Sequence, residues 1–236
     1  MTETVNNVSI SVFFPCYNEQ GNISGVLEKA LAVLEKLNAD FEVVIVDDGS
    51  SDGTGRIADE LAGENDRVKV VHHRTNLGYG AALQSGFKAA TKELVFYTDG
   101  DGQFDMKEMP GLLGLMEQCD IVSCYRLNRQ ENLVRKINAW CWTKLVCFLF
   151  GIKIRDIDCA FKLYKREIFD NIKLVSTGAL IDAEILARAV RQGYRVEQRG
   201  VHHYPRTSGA QTGANLRVIL RAFKELFKLW RQIRKD

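Results

Sequence analysis

An α/β fold built on a mostly parallel sheet is expected from three features of the sequence. The β-prone apolar runs are continuous rather than alternating, as in strands buried on both faces. Stretches of helical period separate them. Three of the runs end in polar turns that carry carboxylates, and ligands of open parallel sheets bind at that end of the strands. The chain has 236 residues, 46% of them hydrophobic, enough for one large domain with a substantial core.

The elements follow in order. Residues 10–15 (ISVFFP) read as a strand and residues 23–37 as an amphipathic helix. A strand at 41–48 (FEVVIVDD) and a helix at 55–61 come next, then a strand at 68–72 (VKVVH), a helix at 80–90 and a strand at 93–99 (ELVFYTD). After Cys124 the sequence reads as an α-rich half added to that sheet. The expected division is one domain over 1–213 and a basic amphipathic helix over 214–236.

Net charge is +2, but residues 214–236 hold seven Lys or Arg against two acids, a local +5 that leaves the remainder near −3. The basic character is a property of the tail, and no nucleic-acid partner is expected. Six cysteines stand at 16, 119, 124, 141, 147 and 159, with no C-x-x-C pair and no histidine at metal spacing, which reads as reduced cytosolic thiols. The first residues have no basic start and meet a strand at once, so no signal peptide is expected and the location reads as cytoplasmic. No apolar run reaches the ~18 residues of a membrane span. The nearest, 139–152, is broken by Thr143 and Lys144.

The three strand-end turns are PCYNE (15–19), VDDGS (46–50) and TDGDGQ (98–103), and parallel strands would set all three on one rim. Asp99 and Asp101, one residue apart between glycines, concentrate negative charge where a cation can bind. An EF-hand loop starting at Asp99 needs Gly at its sixth position and Glu at its twelfth, where Phe104 and Pro110 stand. A D-x-D phosphatase places its motif on the first strand followed by Gly-Thr; here it is on the fourth, and Gln103 replaces the Thr. Ser51 or Asp52 is placed to cap the following helix. The sequence NLGYGAAL (76–83) reads as a glycine-rich helix start, since Leu83 breaks the dinucleotide fingerprint.

Jointly, P-x-Y-N-E, V-D-D-G-S, N-x-G-x-G and D-x-D-x-Q, in that order, resemble family 2 glycosyltransferases of the GT-A fold, over nearly the whole chain. Residues 124–136 (CYR through ENLVRK), 156–167 (DIDCAFKLYKRE) and 202–213 (HHYPRTSGAQTG) are most similar to dolichyl- and polyprenyl-phosphate mannosyltransferase-like members. Cys159 and Ala160 stand where the family usually has Ser-Gly, and Gln211 and Thr212 where it often has Ser-Lys.

The resemblance implies a metal-dependent, inverting hexosyltransferase that uses a GDP- or UDP-linked sugar and a polyprenyl phosphate acceptor. It assigns Asp99, Asp101 and Gln103 to a Mg²⁺ or Mn²⁺ ion, with Asp99 also touching the nucleotide or a metal-bound water. Pro15, Tyr17 and Glu19 match positions that hold base and ribose. Asp48 matches a second nucleotide contact, with Asp47 either structural or part of the site. Arg206 matches a contact to the donor diphosphate, Arg126 and Arg135 match contacts to the lipid phosphate, and Asp158 matches a carboxylate near the reacting centre or a structural one. His202 and His203 read as packing, and Asp182 and Glu184 as structural. A saccharide-hydroxyl acceptor and a non-catalytic nucleotide-sugar binding subunit remain the alternatives.

A lipid acceptor implies a membrane surface. Leu216, Ile219, Leu220, Phe223, Leu226, Phe227 and Trp230 follow helical spacing, with Arg217, Arg221, Lys224, Lys228 and Arg231 mostly on other faces. Such a helix can lie in the cytoplasmic interface, or its stripe can pack on the domain. The segment around Trp140 to Phe150 is a second interfacial candidate, and an anchoring membrane protein is a third route.

Overall fold

The computed structural model describes residues 8–127, 133–206 and 216–234, the side chains of 133–135, 216–222 and 224 excepted. Its first half keeps the expected alternation: β1 (Ser9–Cys16), α1 (Ile23–Lys36), β2 (Asp40–Asp47), α2 (Thr54–Glu64), β3 (Val68–His72), α3 (Tyr79–Ala89) and β4 (Leu94–Thr98). These four strands are parallel, with β1 between β2 and β4. The continuous apolar runs are there because both faces are covered: Val43 through Val46 and Val95 through Tyr97 are all buried completely.

Short helical turns, including α4 (Pro110–Leu113), lead to β5 (Ile121–Leu127) and α5 (Leu133–Phe150). Then follow β6 (Phe161–Lys165), α6 (Glu167–Asn171), α7 (Ile181–Arg191), β7 (Val196–His202) and α8 (Leu216–Ile233). The seven-stranded sheet has the order β3-β2-β1-β4-β6-β5-β7. β6 is antiparallel to both β4 and β5, while β7 runs parallel to β5.

The second half is therefore not simply α-rich. Three strands complete the sheet, and each hides its character in the sequence. β7 is an edge strand whose burial alternates weakly. β6 spans five residues with Lys162 inside its apolar run, and β5 turns polar towards its end.

The aromatic core sits between the sheet and α3. Phe13 stacks on Tyr97 at 5.5 Å between centroids and meets Phe87 edge-on at 4.9 Å. At the far end α8 packs on the body through Leu226, Leu229 and Ile233, all buried. Trp230 Nε1 donates to the Leu149 carbonyl at 2.8 Å, and Phe223 meets Trp142 edge-on. The apolar stripe is thus divided, because Phe223 and Phe227 remain exposed together with Ile137, Trp140 and Phe148 of α5. Among the described residues no helix is long and apolar enough to cross a membrane.

Candidate functional site

β1, β2 and β4 end side by side at Cys16, Asp47 and Thr98, so the three polar turns do share one rim. The first two turns are interlocked. Asn18 holds a left-handed φ of 58°. Its amide donates to Ser50 Oγ at 3.0 Å, and its side-chain oxygen accepts from Ser51 N at 2.8 Å. Glu19 N donates to Thr54 Oγ1 at 2.8 Å, and Gly53 N donates to Gln20 Oε1 at 2.8 Å. Neither Ser51 nor Asp52 is the N-cap of α2: that position is Gly53, which has no side chain to cap with, and Asp52 just before it accepts from Thr54 N at 2.9 Å.

Within that frame Pro15 pairs with Val46 inside the sheet. Tyr17 is 43% exposed on the same turn. Asp48 turns elsewhere: it accepts from Leu77 N and Gly78 N, each at 2.9 Å, and pairs with His73 Nδ1 at 2.6 Å. Its carboxylate thereby fixes the glycine-rich start of α3. Asp47 is occupied in the same way by Ser50 N and His72, both at 3.0 Å.

The third turn carries the charge. Gly102 has a φ of +73°, which favours glycine, and a Cβ on Gly100 would lie 2.5 Å from Cys16 Sγ. Gly100 is thus demanded by packing on β1, and the two glycines together fold the turn back over the strand end. Asp99 accepts from Tyr79 OH at 3.1 Å. Burial, and then the neighbouring Asp101 carboxylate, push Asp99 up to about 7. Burial raises Asp101 as well, against the pull of the Gln103 amide and Arg206.

The far end of the chain closes this turn. Phe104 forms an antiparallel bridge with His203, and His203 also meets the Phe104 ring edge-on. Tyr204 N donates to Gln103 O, and Gln103 Nε2 donates to Tyr204 O, each at 2.8 Å. Two residues later Arg206 reaches both acids: it pairs with Glu19 Oε1 and stands 3.6 Å from Asp101 Oδ2. Glu19 accepts further from Asn22 Nδ2 at 2.7 Å. His203 packs on Phe104, whereas His202 is exposed and is held by the Glu108 carboxylate rather than by packing.

Asp99, Asp101 and the Gln103 amide oxygen are hard oxygen donors suited to Mg²⁺ or Mn²⁺. Among the described residues no three His, Cys, Asp or Glu side chains are grouped to hold an ion by themselves. The donor set therefore fits an ion that completes its shell with ligand phosphate and water, the usual habit of Mg²⁺.

The Asp158 turn is built differently. Arg126 Nε and Nη2 form a fork with Asp156 at 2.7 and 2.8 Å, which spends the bidentate face expected for a phosphate. Asp158 itself is pushed up to about 6 by burial and by Asp182 and Asp156, with Arg126 and Lys162 acting against them. Lys162 is fully buried. Its Nζ donates to the carbonyls of Ile157 (3.0 Å) and Cys159 (2.6 Å) and to Asp182 Oδ1 (2.8 Å). Tyr97 OH pairs with Asp182 and lies 3.1 Å from Nζ. Glu184 accepts from the amides of Val175 and Ser176 and from Arg188, a structural occupation.

The rim thus unites Tyr17, Glu19, Asp99, Asp101, Gln103 and Arg206, and a second group gathers Arg126 and Asp158. The side chain of Arg135 and residues 207–213 lie outside the described set. Sequence reasoning did not find Tyr79, Asp156, Lys162 or the pairing of Tyr97 with Asp182. The available signal was a lysine between apolar neighbours in F-K-L-Y, since a charge inside a buried strand requires a counter-ion.

Comparison with known proteins matches residues 11–173 to the family described as Glycosyl transferase family 2. The chain is 29% identical over 232 residues to dodecaprenyl-phosphate galacturonate synthase of Rhizobium johnstonii, spanning 95% of this chain and 68% of that protein. It is 31% identical to glycosyltransferase AglD of Haloferax volcanii, over 98% of this chain but 38% of the relative. It is 34% identical to an undecaprenyl-phosphate 4-deoxy-4-formamido-L-arabinose transferase of Aeromonas hydrophila, over 70% of this chain and 52% of the relative. Mannosyl-3-phosphoglycerate synthase from Rubrobacter xylanophilus shares the fold at a TM-score of 0.73 and 18% identity, covering 97% of this chain and 74% of that one. Glucosyl-3-phosphoglycerate synthase from Mycobacterium tuberculosis, solved with Mn²⁺, UDP and glucosyl-3-phosphoglycerate, does so at 0.64 and 20%, covering 97% and 77%.

Proposed function

The chain belongs to glycosyl transferase family 2, and on that premise we propose that it moves a hexose from a GDP- or UDP-linked sugar to a polyprenyl phosphate, with inversion at the sugar carbon. The observation that carries the reading is the Asp99–Asp101 pair on the turn that follows β4, beside the ends of β1 and β2, with Arg206 next to Asp101. A relative named for a dodecaprenyl phosphate and another for an undecaprenyl phosphate support the acceptor.

In this reading Asp101 and Gln103 would hold the divalent ion, and Asp99 beside them would contact the nucleotide or the ion's water shell. Bound there, the ion neutralises charge that builds on the departing diphosphate. Tyr17 packs on the base, and Pro15 and Glu19 border the ribose. Arg206 exchanges its contact with Asp101 for the diphosphate. Asp48 acts through the loop it fixes at Leu77 and Gly78. The acceptor phosphate is already ionised at neutral pH, so its oxygen attacks the anomeric carbon directly as the bond to the leaving nucleoside diphosphate breaks. Arg135 steers that phosphate, Arg126, whose fork stays with Asp156, acts on it by charge alone, and Asp158 lies at the reacting centre.

The same proposal places the protein on the cytoplasmic face of a membrane. The 1–213 body would carry the chemistry. The 214–236 helix would contribute, with the exposed face of α5, the surface that meets lipid, alone or beside an anchoring protein. Exposed Trp140, Phe148, Phe223 and Phe227 support this placement.

The test is a transfer assay with Mn²⁺ or Mg²⁺, polyprenyl phosphate in vesicles and a panel of labelled GDP- and UDP-sugars, counting label extracted into organic solvent. Metal-dependent lipid-phase label from one donor is expected, and it identifies base and sugar together. Label appearing only on a saccharide would instead assign Asp158 the role of base. Nucleotide-sugar binding without turnover would leave a binding subunit.

A further inference from the structure

We propose that Lys162 is a positioning residue that sets the Asp158 carboxylate relative to the Asp99 turn, through one buried ammonium that grips the carbonyls of the residues before and after Asp158. The inference rests on the polyprenyl-phosphate transfer reading only for what Asp158 then does; the placement stands on geometry. Nζ reaches Ile157 O at 3.0 Å and Cys159 O at 2.6 Å, the carbonyls on either side of residue 158. The same atom meets Asp182 Oδ1 of α7 at 2.8 Å and Tyr97 OH at 3.1 Å. Tyr97 lies two residues before Asp99, on the strand whose end delivers that turn. One side chain therefore joins β4, α7 and the 157–159 turn.

The chemistry favours lysine in this role. A buried ammonium has three N–H groups and must satisfy them all. Two are spent on the carbonyls and one is shared between Asp182 and the Tyr97 oxygen. Tyr97 in turn pairs with Asp182, so Lys162, Tyr97 and Asp182 close a ring of contacts with almost no solvent access. A network satisfied in this way is rigid, and rigidity in the groups behind a reacting carboxylate is what holds its direction. Simple neutralisation of Asp182 would need only the one contact. The two carbonyl bonds are what point to Asp158.

The experiment separates these two jobs. Lys162→Met should lower the melting temperature by roughly 10 °C, because Asp182 is left buried without its counter-charge. The double variant Lys162→Met, Asp182→Asn removes both charges and keeps an oxygen for the Tyr97 hydroxyl. We expect it to recover most of the melting temperature while kcat stays down about 10–100-fold, with donor KM within about threefold. Amide hydrogen exchange over 156–160 should be faster than in the wild type at this restored stability. Recovery of kcat together with the melting temperature, or unchanged exchange, overturns the inference. Tyr97→Phe, a milder change, should give faster exchange in the same segment and a kcat loss of about threefold, by the loss of one partner from the network; wild-type values for both also overturn it. A wild-type protein with no transfer to polyprenyl phosphate would sink the acceptor reading alone, and the exchange arm would then decide the placement of Asp158 by itself.

Discussion

The donor rim and the Asp158 turn stand at the same end of one sheet, yet they are held by different forces. The rim is laced by neutral hydrogen bonds between neighbouring loops, such as Asn18 to Ser50 and Ser51, and its charged pair lies close to a single arginine. The Asp158 turn is held by charge against charge, Arg126 on Asp156 and Lys162 on Asp182, in surroundings with little water. A rim with an excess of negative charge is poised to take up a cation. A turn whose charges are already paired is poised to hold still.

Breaking the rim should have the largest effect. Asp101→Ala is expected to reduce metal-dependent transfer by at least ~10³-fold, the scale of losing a Lewis acid's stabilisation of several kcal/mol. Its melting temperature should hold or rise, because a raised carboxylate has been removed from a buried place. Full activity in a folded Asp101→Ala protein would remove the ion from the rim.

Breaking the turn should act on stability first. Asp156→Asn leaves Arg126 without its charged partner and should cost about 3 kcal/mol, read from urea unfolding midpoints. The apparent KM for polyprenyl phosphate should rise more than that for the donor, since Arg126 loses its anchor. Equal changes in both would separate Arg126 from the acceptor.

A pH series sharpens the contrast. Asp99 is pushed up to about 7 in the fold, against about 4 when unfolded. Between those values the folded chain binds more protons than the unfolded one, so this contribution to stability declines as pH rises from about 4 to about 7 and is level above. The deprotonated pair is what a cation recognises. Thermal stabilisation by Mn²⁺ should therefore be larger at pH 8 than at pH 6. Asp99→Asn should flatten the metal-free profile, and an unchanged profile would mean that Asp99 is not the titrating group.

The smallest effect is expected furthest from both regions. Phe148 is 84% exposed on α5, and Phe148→Ser should weaken binding to anionic vesicles about tenfold, the low end of the ~1.5–3 kcal/mol for burying one aromatic side chain. Melting temperature and activity on detergent-solubilised acceptor should stay unchanged. Unaltered vesicle binding would move the lipid-facing surface elsewhere.

The same contrast explains what could be read in the sequence. The rim was legible because its signal is local: an apolar run, then a carboxylate, three times over, and the parallel sheet does the rest. The three motifs end on neighbouring strands, with β1 between β2 and β4. The task of Asp48 was not legible, because its partners, Leu77, Gly78 and His73, lie about 30 residues away. The turn was far less legible. Lys162 looks like an ordinary polar position of a half-exposed strand until β5 and α7 cover it, and its partners lie 65 residues before and 20 after. Arg126 carried the right charge for a phosphate, and nothing local showed that Asp156 would claim its fork.

The insertion of β6 between β4 and β5 also bears on how the chain assembles as it is made. When β4 leaves the ribosome, the four parallel strands can already pair, but the flank of β4 stays open until residues 161–165 arrive. At ~5–20 residues per second that interval lasts on the order of 3–13 s. Throughout it the nascent protein shows an unpaired apolar edge, Leu94 to Thr98, of the kind that recruits neighbouring chains. Chaperone demand and losses to aggregation should therefore concentrate in that window, and slowing translation there should reduce yield more than slowing it after β6 has docked.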